Sequence, residues 1–207
     1  ILEYFLQNLK YKGKLIMNHK VETGIAPTKL VNAAIKLYHD GKIDDLFIRL
    51  SNLIKTYPNT YIFYNILGSI YFHKRLYTEA EKCFLKTIDL KPNHPYAYNN
   101  LGNVFKEMKD YDKALYYYEQ ALKDHKENSV IHDNIAQVQN FIGNYNKSIH
   151  HRKLAVKLDP NSFSYLESLL FDLNYSSDMT AEEIFEYYKQ FDKKFGLPLK
   201  HKRNTFA

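Results

Sequence analysis

A single cysteine, Cys83, in 207 residues excludes an internal disulfide framework and a Cys-rich zinc site. No stretch approaches the roughly 18 consecutive apolar residues that a membrane-spanning helix needs. The N-terminus lacks the succession of basic, apolar and small residues that marks a signal peptide, so a cytoplasmic location is expected. A start at Ile1 reads as a segment of a longer chain. The seven glycines form neither GxGxxG nor GxxxxGK, which removes the usual phosphate-cradling loops. Arginine is scarce as well: of 29 basic residues, only Arg49, Arg75, Arg152 and Arg203 are arginines. The net charge of +6 therefore rests on lysines, which lack the planar fork that reads phosphates and bases, and which are scattered among 23 acids. A solvated surface is expected, and no nucleic-acid or membrane partner.

What is present is a repeat. Tyr64, Leu67, Gly68, Tyr71, Ala80 and Phe84 return 34 residues later as Tyr98, Leu101, Gly102, Phe105, Ala114 and Tyr118. A further shift gives His132, Ile135, Ala136, Gln139, Ser148 and Arg152, a weaker copy that keeps Ala155 and Pro160. The backward shift gives Leu30, Ala33, Ala34, Leu37, Leu46, Leu50, Leu53 and Pro58. The spacings of three, four and seven predict two helices per repeat, each with one apolar stripe. Small residues at Ala34, Gly68, Gly102, Ala80 and Ala114 let paired helices cross closely, and the rings at Tyr71, Phe84, Phe105 and Tyr118 fill the space beside them. Pro58, Pro92 and Pro160 end the second helices. Turns fall at Asp40-Gly41, Lys74-Arg75, Lys109-Asp110 and Gly143-Asn144.

This pattern resembles the tetratricopeptide repeat family. The resemblance implies an all-α, right-handed α-solenoid of about four helix pairs with C-terminal capping helices. The expected boundaries are an N-terminal helix and irregular segment at 1–26, repeats at 27–60, 61–94, 95–128 and 129–162, capping helices over 163–196, and a flexible basic tail at 197–207. Thr87 and Lys126 depart from the pattern, and Gln139 and Arg152 replace rings in the fourth repeat. That repeat is expected to pack the most loosely and to rely on the segment C-terminal to it. There, Leu166, Leu169, Leu170 and Leu173 share one helical side, and Thr180 with Glu183 fits a capping box before Ile184, Tyr188, Phe191 and Phe195.

No catalytic constellation, cofactor site or metal site is expected. His150 and His151 are adjacent and diverge on a helix, His125 and His132 straddle a turn, and the nine histidines read as scattered surface residues. Cys83, between Ala80 and Phe84, reads as a small buried residue and not a nucleophile. What remains is a surface. In a stack of helix pairs the first helices line the concave side. The position before each Leu-Gly or Ile-Ala pair holds Asn32, Asn100 and Asn134, with Ile66 interrupting. In the narrower family that residues 169–185 resemble, such an asparagine ladder grips the backbone of an extended peptide, since an amide both donates and accepts. Asn99, Asn103, Lys106, Glu107, Asp133, Gln137 and Asn140 are expected on the same side. Asparagines that merely satisfy nearby backbone groups explain the ladder equally well. A carboxylate clamp would want lysine where Asn99 and Asp133 stand.

A narrower resemblance concerns Leu169 to Tyr175 and Met179 to Phe185. These are similar to the junction between repeats and catalytic region in bacterial SPINDLY-type members of the O-linked N-acetylglucosamine transferase family. That likeness implies a non-catalytic substrate- or partner-recognition region, with a nucleotide-sugar transferase region following Ala207. The alternative is a scaffold that assembles complexes or self-associates through tyrosine-rich surfaces, given 19 tyrosines.

Overall fold

The computed structural model describes residues 24–123 and 126–196. Most of the expected N-terminal segment, His125 and the tail 197–207 lie outside the described residues. Among the described residues there are ten α-helices and no strand. The helices fall into two compact units, with the boundary between Pro92 and Asn93. The first holds α1 (Thr28–His39), α2 (Ile43–Thr56), α3 (Tyr61–His73) and α4 (Tyr77–Leu90). The second holds α5 (Pro95–Glu107), α6 (Tyr111–Leu122), α7 (Ser129–Phe141), α8 (Tyr145–Leu158), α9 (Phe163–Leu173) and α10 (Ala181–Phe191), closed by a π-helical turn at Asp192–Gly196.

The period of 34 is visible in the backbone. Within successive pairs, the turn puts Gly41, Arg75, Lys109 and Gly143 at φ 70°, 59°, 62° and 80°. These are left-handed conformations that reverse the chain in one step. The side chains of His94, Asn128 and Ser162 cap α5, α7 and α9 by accepting from the backbone N–H of Ala97, Ile131 and Tyr165. Each cap satisfies one amide that the first helical turn leaves unpaired. Ser162 keeps the 34-residue spacing, so α9 begins where the first helix of another pair would begin. The expected capping box starts α10: the Thr180 N–H donates to Glu183 Oε2 at 2.8 Å, and the Glu183 N–H donates to Thr180 Oγ1 at 3.2 Å.

Packing follows the small-against-large pattern. A methyl group on Gly68 would stand 2.7 Å from the Phe84 ring, and one on Gly102 would collide with the Tyr118 ring. Each glycine therefore sets how closely its two helices approach. The first unit has an apolar core that includes Ala34, Leu46, Leu50, Phe63, Ile70 and Cys83. Thr87 is fully buried there, its hydroxyl donating to the Cys83 carbonyl at 3.0 Å, which removes the cost of an unpaired group. In the second unit Tyr118 is buried beneath Asn103, to whose Oδ1 its hydroxyl donates at 2.7 Å. A separate cluster of Ile149, Leu169, Leu170 and Leu173 receives Ile184, Tyr187 and Phe191 of α10.

Two expectations need correction. The substituted side chains of the fourth repeat are not loosened toward solvent: Gln139, Ser148 and Arg152 are buried. Ser148 and Arg152 hold a buried acid from α9, so the reliance on the C-terminal segment is electrostatic as well as apolar. The histidines are not all scattered surface residues either. His132 is buried, and its Nδ1 lies 3.0 Å from Nδ1 of His151 across the α7–α8 pair. The 34-residue match hides this, because His132 takes a position that Tyr64 and Tyr98 hold in the other repeats.

Candidate functional site

The expected surface residues divide between the two units. Asn32 lies exposed on α1 in the first. The other eight lie in the second, with Asn99, Asn100, Asn103 and Lys106 on α5 and Asp133, Asn134, Gln137 and Asn140 on α7. Because α5 and α7 are the first helices of consecutive pairs, residues repeating along each helix come to face their counterparts on the other. Asn134 Nδ2 donates to Asn99 Oδ1 at 3.0 Å, and Lys106 Nζ donates to Gln137 Oε1 at 2.8 Å. Asn134 is buried, so that rung of the supposed ladder is turned into the α5–α7 contact. Asn103 is likewise engaged by Tyr118.

The polar line continues deeper than the sequence suggests. Gln137 Nε2 donates to Asp133 Oδ2 at 2.8 Å, and Arg152 joins Asp133 to Asp172. Its Nη1 donates to Asp133 Oδ1 at 2.5 Å and its Nε to Asp172 Oδ2 at 2.7 Å. Asp172 also accepts from Asn140 Nδ2 at 2.7 Å, and the Ser148 hydroxyl lies 2.5 Å from the same carboxylate. The Arg152 and Asp172 side chains are 8% and 0% exposed. A charge so deeply buried persists only when its partners compensate for lost hydration, and here each carboxylate oxygen of Asp172 accepts a bond. Burial pulls the Lys106 ammonium below its ordinary pKa, opposed by the charges of Glu107 and Asp133.

This network floors a cleft of about 400 Å³ between α7, α8 and α9. Gln137, Asn140, Arg152 and Asp172 form its polar base, while Phe141 of α7 and Phe171 of α9 stand among its apolar lining. Glu167 and Ser168 complete it on the α9 side. Sequence reasoning singles out Gln137 and Asn140 but misses the rest. A signal exists: Ser148 and Arg152 stand where the repeat has alanine and a ring, and Asp172 lies three residues from Leu169 on a leucine-rich helix. An acid on an apolar stripe calls for a buried cation, and Arg152 is the substituted position that supplies one.

Burial pushes the Cys83 thiol up to about 11, with Glu79 adding to the effect, so little thiolate forms near neutrality. Among the described residues no group of three or more His, Cys, Asp or Glu side chains could hold a metal ion. No helix among them is long and apolar enough to cross a membrane.

The tetratricopeptide repeat family model matches residues 59–127. Solved structures extend the likeness beyond that segment. MamA from Desulfovibrio magneticus RS-1 is 21% identical, covering 80% of this chain and 93% of that one, with a TM-score of 0.69. PilF of Pseudomonas aeruginosa gives a TM-score of 0.70 at 15% identity, covering 81% of this chain and 73% of its own. The fold is that of the tetratricopeptide repeat. YrrB, described as a tetratricopeptide repeat protein with an unusual peptide-binding site, has a TM-score of 0.64 at 16% identity and covers 84% of this chain and 90% of its own. No curated protein sequence matches. The matches concern the repeat fold alone, and the transferase-like junction rests on residues 169–185 only.

Proposed function

We propose that the chain is a non-catalytic protein-binding module whose second unit holds an extended peptide along α5 and α7. The observation that carries this reading is the line of amide and charged side chains from Asn99 and Lys106 through Asp133 and Gln137 to Asn140, which ends at an aromatic-lined cleft. Each amide NH2 carries two donors, so the bonds within the line leave Gln137 and Asn140 one N–H each for a peptide carbonyl in any sequence context. A peptide-binding relative of the same fold, YrrB, supports the assignment. Retention of random nonapeptides on the immobilised chain tests it. Replacing Asn100 and Gln137 by Ala together is expected to weaken retention about tenfold, the value of one or two hydrogen bonds. Unchanged retention by a variant with native helicity overturns the reading.

The junction-like sequence favours a finer form of the proposal. Residues 169–185 fold as the end of α9, a turn and the capped start of α10. In that form the module recognises substrates or partners for a nucleotide-sugar transferase region encoded after Ala207. Two successive strand–helix lobes in the continuing reading frame support it, and their absence leaves an assembly scaffold.

A further inference from the structure

We propose that the cleft between α7, α8 and α9 receives a lysine or arginine side chain of the bound peptide. The assignment rests on peptide binding by the second unit and adds the chemistry of one recognised residue.

Four donor atoms at the base of the cleft already bond to the acids of the protein itself. Arg152 directs Nε and Nη1 to Asp172 and Asp133, Asn140 directs Nδ2 to Asp172, and Gln137 directs Nε2 to Asp133. A carboxylate arriving here meets the buried Asp172 carboxylate and the exposed Glu167, and Arg152 is already shared between two acids. The acceptors at the rim are not engaged in this way. Glu167 is exposed and has no ion pair among the described residues, and the half-buried Ser168 hydroxyl beside it has no hydrogen-bond partner among them. Among the lining residues Asp172 and Glu167 oppose Arg152, so the cleft carries one negative charge in excess on a chain whose net charge is +6.

The walls favour a cation too. Phe141 and Phe171 are 61% and 56% exposed, unusual for phenylalanine in a concave site. Each is braced by a second ring: Phe141 stacks on Tyr111 with centroids 5.9 Å apart, and Phe171 meets Tyr175 at 5.4 Å. The chain repeatedly sets its own lysines over aromatic faces. Lys113 sits 5.0 Å from the Phe105 centroid, Lys189 4.8 Å from that of Phe185, and Lys74 5.2 Å from that of Phe47. No cation of the described residues lies over Phe141 or Phe171. Ring faces beside a free carboxylate attract an ammonium or guanidinium group, and a cleft of this volume holds one long side chain.

Five pools of nonapeptides, each with a fixed central Arg, Lys, Gln, Leu or Glu, are passed over the immobilised full chain. The Arg and Lys pools are expected to be retained about fivefold above the Gln pool, with the Glu pool lowest. In Glu167→Gln, an exposed substitution, that preference falls below about twofold, and Phe171→Leu reduces it as well. Retention of all pools without preference, a lead for the Leu or Glu pool, or an Arg preference that survives Glu167→Gln overturns the proposal and leaves groove binding standing. Retention of none overturns both.

Discussion

At the scale of single residues, the period of 34 is recorded most plainly in the backbone of the turns. Gly41 and Gly143 hold the left-handed position in the outer pairs, and Arg75 and Lys109 hold it at φ 59° and 62° in the inner ones. A side chain in this region costs about 1–2 kcal/mol through crowding of its Cβ against the carbonyl. Glycine removes that strain but returns about 0.4–1 kcal/mol of conformational freedom to the unfolded chain. Arg75→Gly and Lys109→Gly are therefore expected to stabilise by about 0.5–1 kcal/mol each, and Gly41→Ala or Gly143→Ala to destabilise by about 1 kcal/mol. Urea titration reads both signs. The Lys109 side chain is exposed, so a destabilising Lys109→Gly would contradict the strain assigned to this turn. These turns are legible in the sequence because alignment places Lys109 on a glycine of another repeat. The left-handed arginine and lysine follow from that alignment, whereas neither residue taken alone signals them.

At the scale of elements, α9 is held by charge as well as by its leucines, where the α3–α4 and α5–α6 pairs set a ring on a glycine. Tyr118 and Phe84 pack on glycines, but their counterpart Arg152 joins α7 to α9 through Asp133 and Asp172. Removing one partner leaves a buried charge uncompensated, so Asp172→Ala is expected to cost about 3–5 kcal/mol. Replacing the buried members together differs in sign, because Asp133 is only half-buried and keeps the bond from Gln137. Ser148→Ala, Arg152→Tyr and Asp172→Leu together restore the pattern of the inner repeats and are expected to be neutral or stabilising by about 1–4 kcal/mol. Thermal unfolding compares the single and triple variants; a triple variant as unstable as Asp172→Ala would show that the network does more than substitute for rings. The helices themselves are legible because three-, four- and seven-residue spacings persist through every pair. The cleft is not, since Phe141, Arg152 and Phe171 come from three helices and no local period links them. Asn134 shows the limit from the other side: its spacing with Asn100 is plain in the sequence, but its direction depends on Asn99, one helix away.

At the scale of the whole molecule, the two units respond differently to acid. In the second, His132 Nε2 donates to the Lys126 carbonyl at 3.0 Å, which leaves its Nδ1 to accept from Nδ1–H of His151. Burial, then His132, then His150 hold the His151 pKa down at about 4. Between the ordinary value near 6.5 and 4, the unfolded chain binds a proton that the folded one refuses, so stability is complete above about pH 6.5 and falls as pH drops toward 4. Protonation sets two N–H groups against each other across the α7–α8 pair with His150 alongside. Allowing for the solvent that reaches His151, the loss is about 1–2 kcal/mol, or roughly a five- to thirtyfold fall in protection of α7 and α8 amides. In the first unit the described histidines, His39 and His73, are exposed, so amides around Leu46 and Leu50 should keep their protection over the same range. Hydrogen exchange at pH 7 and pH 5, corrected for intrinsic rates, separates the two. His151→Gln keeps a donor for His132 and abolishes the acid loss, while equal losses in both units, or a loss that survives this substitution, would place the sensitivity outside the histidine pair.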